Sequence, residues 1–416
     1  MRQSSCRQNH TVHVIIIGCS VAGLTLAHAL SKRRIDYTIL EAHDRLPLPF
    51  TGNAFTLLPN GSRILAQLKG RIDVGRLLSM SPTRHGYKLA VIPRWRFLQN
   101  LYNNLEDKHR VCFGKRVMTV DQSSSEAKVE CADDSIFTGD LVVGADRIHS
   151  VSRGEILRWN GSLQAPQDLR KVAVTVTSEY SGIYGVSHPI PGLSPGHAHR
   201  TYGDGFSFII NIGKENIFWL LSFHAGKVHR YPDVPRYSQD RASIDQQVFP
   251  FLDAHISSNI RFEKLYHNTI TCCHVTLEKM LCEQWVAGRL VCIGNSVHKM
   301  TPNLDQANCI VHNPGKDMDL AVWEESRKQR MRRFYTYSWI LARCEAFSGL
   351  WFKALGLYIW FFHGEQVISH ISDINYHLKS PSKMDHGELN QMNYLYVKLA
   401  FWLLDVLITI WSFCFV

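Results

Sequence analysis

The sequence has no CxxC pair, no HExxH segment and no His/Cys group at ligand spacing, so no metal centre is expected. Its 11 cysteines follow no regular spacing, and the adjacent Cys272 and Cys273 cannot readily bridge each other. They read as small buried hydrophobes of a chain kept in a reducing compartment. The polar opening MRQSSCRQNHTVH leads straight into an apolar strand and is not expected to be a signal peptide, so the sequons at Asn60 and Asn160 carry little meaning. Long blocks of one charge are also missing. Net charge is +10, but Lys and Arg are scattered, which argues against a nucleic-acid partner. The one basic run, Arg327, Lys328, Arg330, Arg332 and Arg333, reads as a solvated helix face or as an attraction to anionic lipid or an anionic cofactor.

What is present fits a globular chain. With 416 residues, 45% hydrophobic, it suits two domains and an appendage. The run VHVIII (12–17) predicts a buried strand, and GCSVAG follows it. LTLAHALSKRR then repeats apolar residues at helical spacing, and YTILE (37–41) reads as a second buried strand ending in an acid. Strand, glycine turn, helix and acidic strand end make the dinucleotide-binding βαβ order. Gly18 permits the tight turn. A small residue, Ser20, lets backbone N–H groups approach a pyrophosphate, and Gly23 lets the helix lie close to the sheet. Glu41 can accept from both hydroxyls of an adenosine ribose.

Two later stretches repeat the device of a strand that stops on Gly and a polar side chain. TGDLVVGADRIHSVSR (138–153) places a strand at 141–143 before Gly144, Ala145 and Asp146. GRLVCIGNSVHKMTPNLDQAN (288–308) places one at 290–293 before Gly294 and Asn295. A long cofactor needs such an arrangement, its AMP half on the first turn and its flavin half further along the sheet edge.

On these motifs the chain resembles the group A FAD-dependent monooxygenases of the aromatic-hydroxylase type. It is most similar to the fungal membrane-associated enzymes that epoxidise prenyl chains of meroterpenoids and indole diterpenes. GCSVAGLTLAHAL, GADRIHS and GNSVHKMTPN match their three motifs, and GNAFTLLPNGSRIL (52–65) and RHGYKLAVIPRWRFLQNLY (84–102) match the stretches between. The resemblance implies an α/β fold: a Rossmann-type FAD-binding domain, an antiparallel β-sheet substrate domain and C-terminal helices. It implies that Glu41 binds the adenosine ribose, Gly52 lies on a loop closing over the cofactor, and Arg94 stands against the FAD phosphates. Asp146 serves FAD and NAD(P)H by fixing the backbone. Asn295 meets the ribityl chain, and Ala307 and Asn308 begin a helix whose dipole faces the flavin pyrimidine edge. Tyr202 corresponds to a pocket tyrosine, with Arg200 beside it as a weaker candidate; taken by itself, His298 reads as structural rather than as a general base.

The chain departs from the family pattern at four places. Asn295 stands for an Asp. Residues 302–308, PNLDQAN, lack a Gly and one position, and Pro314-Gly315 interrupts the helix that should follow. Ser81-Pro82-Thr83 joins two stretches where relatives carry a further segment.

From 170 to 284 the pattern turns to strands: KVAVTVTS alternates, and FSFIINI (206–212) turns through Gly213–Asn216 into IFWLLSF (217–223) as a hairpin. Such a sheet would roof the flavin and form an apolar substrate pocket. Residues 316–345 read as a helix, and 347–362 are apolar at nearly every position. LAFWLLDVLITIWSFCFV (399–416) carries one charge, Asp405, which would cost roughly 2.5–3.5 kcal/mol at a bilayer centre. Tyr394, Tyr396 and Lys398 suit an interfacial belt. The organisation expected is 1–169 as the first part of the FAD domain, 170–284 as the substrate domain, 285–315 as the flavin motif, 316–390 as a helical region and 391–416 as a membrane anchor.

The resemblance implies an NAD(P)H-driven, FAD-dependent monooxygenase that epoxidises or hydroxylates a hydrophobic terpenoid-like substrate with O2, through a C4a-hydroperoxyflavin. Membrane lipid would be a partner, at the endoplasmic reticulum with the catalytic part cytosolic. Two alternatives stay open: a hydroxylase of a phenolic substrate, and a non-catalytic membrane-associated FAD binder that has lost turnover.

Overall fold

β-Branched residues prefer an extended backbone, and a run without polar alternation must be buried on both faces. The computed structural model, which describes residues 12–47, 54–57, 79–82, 88–161, 176–302 and 320–358 with Gly61 and Leu65, meets both conditions at β1 (His13–Ile17). This strand lies inside a six-stranded sheet, and its alternate residues enter two cores. Ile15 and Ile17 join one hydrophobic cluster, Val14 and Ile16 the other. α1 (Val21–Lys32) follows, and β2 (Asp36–Leu40) returns parallel to β1. Across the sheet the order is Val286–Ala287, Leu290–Cys292, Leu141–Gly144, β1, β2, Val111–Cys112. We name Leu141–Gly144 β3 and Leu290–Cys292 β4; both run parallel to β1's direction through β3.

Helices cover one face and a small meander the other. α1 and α2 (Arg94–Asn103) bury Leu24, Ala27, Leu30, Phe97, Leu98 and Leu101 against Val14, Ile16 and Ile39. Strands Val117–Gln122 and Ala127–Cys131 bury Val117, Val120, Val129 and Cys131 against Ile15 and Val142. α3 (Val151–Trp159) leaves the end of β3 capped by Ser150, whose hydroxyl accepts from Arg153 N at 2.8 Å.

The second unit is an antiparallel sheet in the order Ala198–Gly203, Phe206–Ile212, Ile217–Arg230, Thr177–Ser187, Thr269–Leu281, His298–Lys299. The expected hairpin is there, with Ile212 opposite Ile217 and Gly213 N bonded to Asn216 O at 2.9 Å. The strand expected over KVAVTVTS begins at Thr177, and residues 171–175 lie outside the described residues. One face of this sheet buries Ile183, Phe208, Ile210, Trp219 and Leu221 under the segments holding Ile244, Val248, Phe262 and Leu265. The other face turns toward the nucleotide unit, where Val186 and Phe218 pack on Ala54.

α4 (Leu320–Glu345) belongs to both units, and residues 316–319 of its expected range lie outside the described residues. Met331, Phe334 and Tyr337 enter the core of the parallel sheet, while Ala342 and Ala346 pack on Tyr180 and Leu277 of the antiparallel sheet. Of the basic residues in its middle, Lys328 pairs with Glu324 at 2.9 Å, both largely buried, and Arg332 pairs with Glu283 at 3.0 Å on the surface. A single turn separates α4 from a further helical stretch at 350–358. The expected anchor, 391–416, lies outside the described residues; among those described, no helix is long and apolar enough to cross a membrane.

Candidate functional site

Three turns meet at the C-terminal ends of the parallel strands β1, β3 and β4. Ala145 N donates to Ile17 O and Ile293 N to Gly144 O, each at 2.8 Å. Ser296 Oγ donates to Gly144 O at 3.0 Å. Gly18 sits at φ +106°, where a Cβ would stand 2.7 Å from Ala145 O. Gly294 sits at φ +64°, where a Cβ would stand 3.1 Å from Ala22 Cβ. Both positions are left-handed backbone that favours Gly. The three motifs read separately from the sequence therefore form one crevice, at the edge where open α/β sheets bind ligands.

The first turn is preorganised around α1. Ser20 is its N-cap, accepting from Gly23 N at 3.2 Å, and a Cβ on Gly23 would meet Gly18 O at 2.2 Å. Glu41, just past β2, reaches the same turn: its Oε2 accepts from Cys19 N at 2.8 Å. Its Oε1 accepts from His43 N at 3.0 Å and lies 2.7 Å from His43 Nδ1. Burial works to raise the Glu41 pKa, but the hydrogen bonds from His43 and Cys19 outweigh it and hold the carboxyl below its ordinary value. Glu41 is thus an anion at the crevice mouth.

Arg94 opens α2 close to Glu41. Burial first, then the charge of Arg147 alongside, pulls its pKa down to about 10, while Glu41 partly offsets them. Arg147 was not singled out in the sequence; the signal in the structure is its φ of +67°, rare for a side-chain-bearing residue. Two guanidinium groups converging beside a helix N-terminus repel each other, and a phosphate-bearing group between them would relieve that repulsion. The chemistry of these donors fits a dinucleotide such as FAD.

Asp146 turns inward on its own loop. Its Oδ1 accepts from Ser150 Oγ at 2.7 Å, and its Oδ2 from Ser152 N and Oγ, each at 3.1 Å. Burial holds its pKa above the usual range. The side chain fixes the backbone after β3. Asn295, in the turn Gly294–Ser296, is half-buried at the end of β4. Gly52, Ala307 and Asn308 lie outside the described residues.

Another residue that the sequence did not suggest ties the site together. Arg153 is 8% exposed, yet it donates to Ser296 O at 2.8 Å, Ile148 O at 2.7 Å and Met280 Sδ at 3.3 Å. It joins the β3 turn, the β4 turn and the antiparallel sheet. His298 is buried in that sheet, opposite Leu281 and 5.3 Å from the Trp285 ring.

The two residues expected at the substrate pocket, Tyr202 and Arg200, share a strand and one face of the antiparallel sheet. The Tyr202 ring meets Phe347 edge-on at 6.1 Å, and burial, reinforced by the Glu345 carboxylate, keeps its phenol well above its ordinary pKa. Arg200 is held by Glu345, the last residue of α4. Among the described residues no three His, Cys, Asp or Glu side chains converge as a metal site.

No family model matches the chain. Curated relatives do. FAD-dependent monooxygenase dpchE of Colletotrichum higginsianum is 32% identical over 402 residues, covering 85% of each chain. FAD-dependent monooxygenase spyC of Aspergillus fumigatus is 33% identical over 404 residues, 85% of this chain and 83% of that one. FAD-dependent monooxygenase BOA8 of Botryotinia fuckeliana is 38% identical over 313 residues; the match covers 74% of this chain and spans only 38% of the length of BOA8. Among solved structures, Klebsiella pneumoniae HpxO complexed with FAD and uric acid shares the fold, with a TM-score of 0.67 at 19% identity over 88% of this chain and 98% of that one. CtdE in complex with FAD and substrate superposes with a TM-score of 0.63 at 16% identity over 80% of this chain and 90% of that one. With relatives of this identity matched over most of their length, the chain belongs to the family of FAD-dependent monooxygenases.

Proposed function

We propose that this monooxygenase takes electrons from NAD(P)H and inserts one oxygen atom of O2 into a hydrophobic prenylated or terpenoid-like molecule, as an epoxide or an alcohol. The observation that carries the substrate class is the sheet face turned toward the nucleotide unit. Cross-strand partners point the same way, so Tyr184, Leu220 and Ile209 share that face with Val186 and Phe218. Its middle is apolar, with Ser207, Ser222 and Asn211 beside it on the same face, which suits a largely hydrocarbon substrate.

In this reading Glu41 receives the adenosine ribose, Arg94 and Arg147 flank the diphosphate, and Asn295 meets the ribityl chain. Asp146, bonded within its own loop, holds the crevice open rather than moving protons. Gly52, Ala307 and Asn308 complete the cofactor contacts. Bound FAD would supply the redox and oxygen chemistry. The protein's share is orientation and the exclusion of water by an apolar wall, so no general base is required. Tyr202 would orient substrate through a protonated phenol.

The reading extends to a membrane anchor over 391–416 at the endoplasmic reticulum, with the catalytic part cytosolic. The apolar sequence 399–416 supports it, as do Leu350 and Trp351, 86% and 90% exposed on the last described helix. The test is turnover: purified protein given NADPH, labelled O2 and a prenylated alcohol should yield product carrying one labelled oxygen. NADPH consumption that releases only hydrogen peroxide, with every prenylated probe recovered unchanged, would refute the substrate class.

A further inference from the structure

Across the sheet face turned toward the nucleotide unit runs one row of paired residues: Arg200, Ile209, Leu220, Tyr184 and Cys273. Arg200 is the one charge in the row. Its side chain keeps 26% of its exposure, whereas the carboxylate that binds it, Glu345, keeps 2%. The cation keeps part of its exposure, and its counter-ion is buried at the end of α4, which packs on this face through Ala342 and Ala346.

Glu345 is held there by contacts other than Arg200. Two residues earlier on α4, Arg343 forms a second ion pair with Glu179 of the same sheet. One residue later, Ala346 O accepts from Gly205 N at 2.8 Å, and Phe347 meets the Tyr202 ring at 6.1 Å. Lys353 reaches Asp204 at 3.0 Å. The end of α4 is thus fixed to the turn that follows Arg200 and Tyr202, so the carboxylate cannot readily swing away.

We propose that Glu345 is a specificity-determining positioning residue: by occupying Arg200 it makes this end of the substrate wall accept uncharged apolar molecules and reject carboxylates. The inference rests on the reading of this face as the substrate wall. Its physics is direct. An arginine on an apolar wall is a forked receptor for carboxylate. With a fixed carboxylate already on the fork, an anionic ligand loses the hydrogen bonds and meets a like charge, whereas a neutral chain meets only a compensated pair.

The experiment titrates the full-length, FAD-loaded protein with farnesol and with farnesoate, reading the perturbation of the flavin spectrum. The wild type should bind farnesol at least about tenfold more tightly. Glu345→Gln should move the ratio toward farnesoate by about tenfold or more. Glu345→Asp, which keeps the charge but draws it back, should move it less and in the same direction, so the result does not hinge on one variant folding. A merely structural role would weaken both ligands alike and leave the ratio unchanged, and that outcome in both variants overturns the proposal. Farnesol failing to bind the wild type would instead refute the apolar-substrate reading on which it rests.

Discussion

At the residue scale, the chemistry concentrates on a few side chains whose partners explain them. Glu41 is the clearest. One oxygen holds Cys19 N and the other His43, so the carboxylate fixes the turn on which the pyrophosphate would lie. In Glu41→Gln the amide NH2 must face one of these donors, and a charged hydrogen bond of about 1.5–3 kcal/mol is lost. The expected outcome is an FAD dissociation constant raised by about tenfold to a hundredfold, measured by quenching of FAD fluorescence, with circular dichroism unchanged. An unchanged dissociation constant would place the ribose contact elsewhere. Gly18, Ser20, Gly23 and Glu41 were legible in the sequence because their roles are set by neighbours along the chain. Arg147, Arg153 and Glu345 were not. The first acts through Arg94, the second through a carbonyl at Ser296, the third through Arg200. No local pattern encodes a partner so distant in the chain.

At the element scale, α4 is the part that makes two sheets into one site. About 39 Å long for its 26 residues, it anchors Phe334 in the core of the parallel sheet and ends on the antiparallel one. Its helical spacing was visible, but which side faced which sheet was not, because both stripes contain aromatic and basic residues. Phe334 is 3% exposed, and Phe334→Ala should cost about 3–5 kcal/mol through lost burial and a cavity. Because the helix is shared, FAD release and loss of near-ultraviolet dichroism should shift together in urea. A variant in which one signal moves and the other stays would show the two sheets to be independent. The antiparallel strands were legible for a related reason: alternation survives wherever the chain forms a regular hairpin, as at 206–223. The three strand ends were legible as motifs, yet their hydrogen bonding to one another is a property of the sheet order.

At the scale of the whole molecule, stability and cofactor binding both depend on buried groups that must stay uncharged or compensated. His274 is stacked on Tyr237 at 3.7 Å, and His298 lies against Trp285; burial lowers both to a pKa of about 4. Unfolded, each would titrate near 6.5. The folded state therefore holds fewer protons than the unfolded one between these values, and stability falls as pH drops from about 6.5 to about 4, by at most about 3 kcal/mol per histidine. Urea midpoints at pH 7.5 and pH 5 should show this loss; equal midpoints would mean the two rings are not buried neutral in solution. The central claim is that the turns after β1, β3 and β4 form one cradle for a single FAD. Titration of the purified full-length protein with FAD tests it most directly. The account predicts a yellow protein that binds one FAD per chain, more weakly as salt rises. A colourless protein that takes up no added FAD at any salt concentration would contradict it.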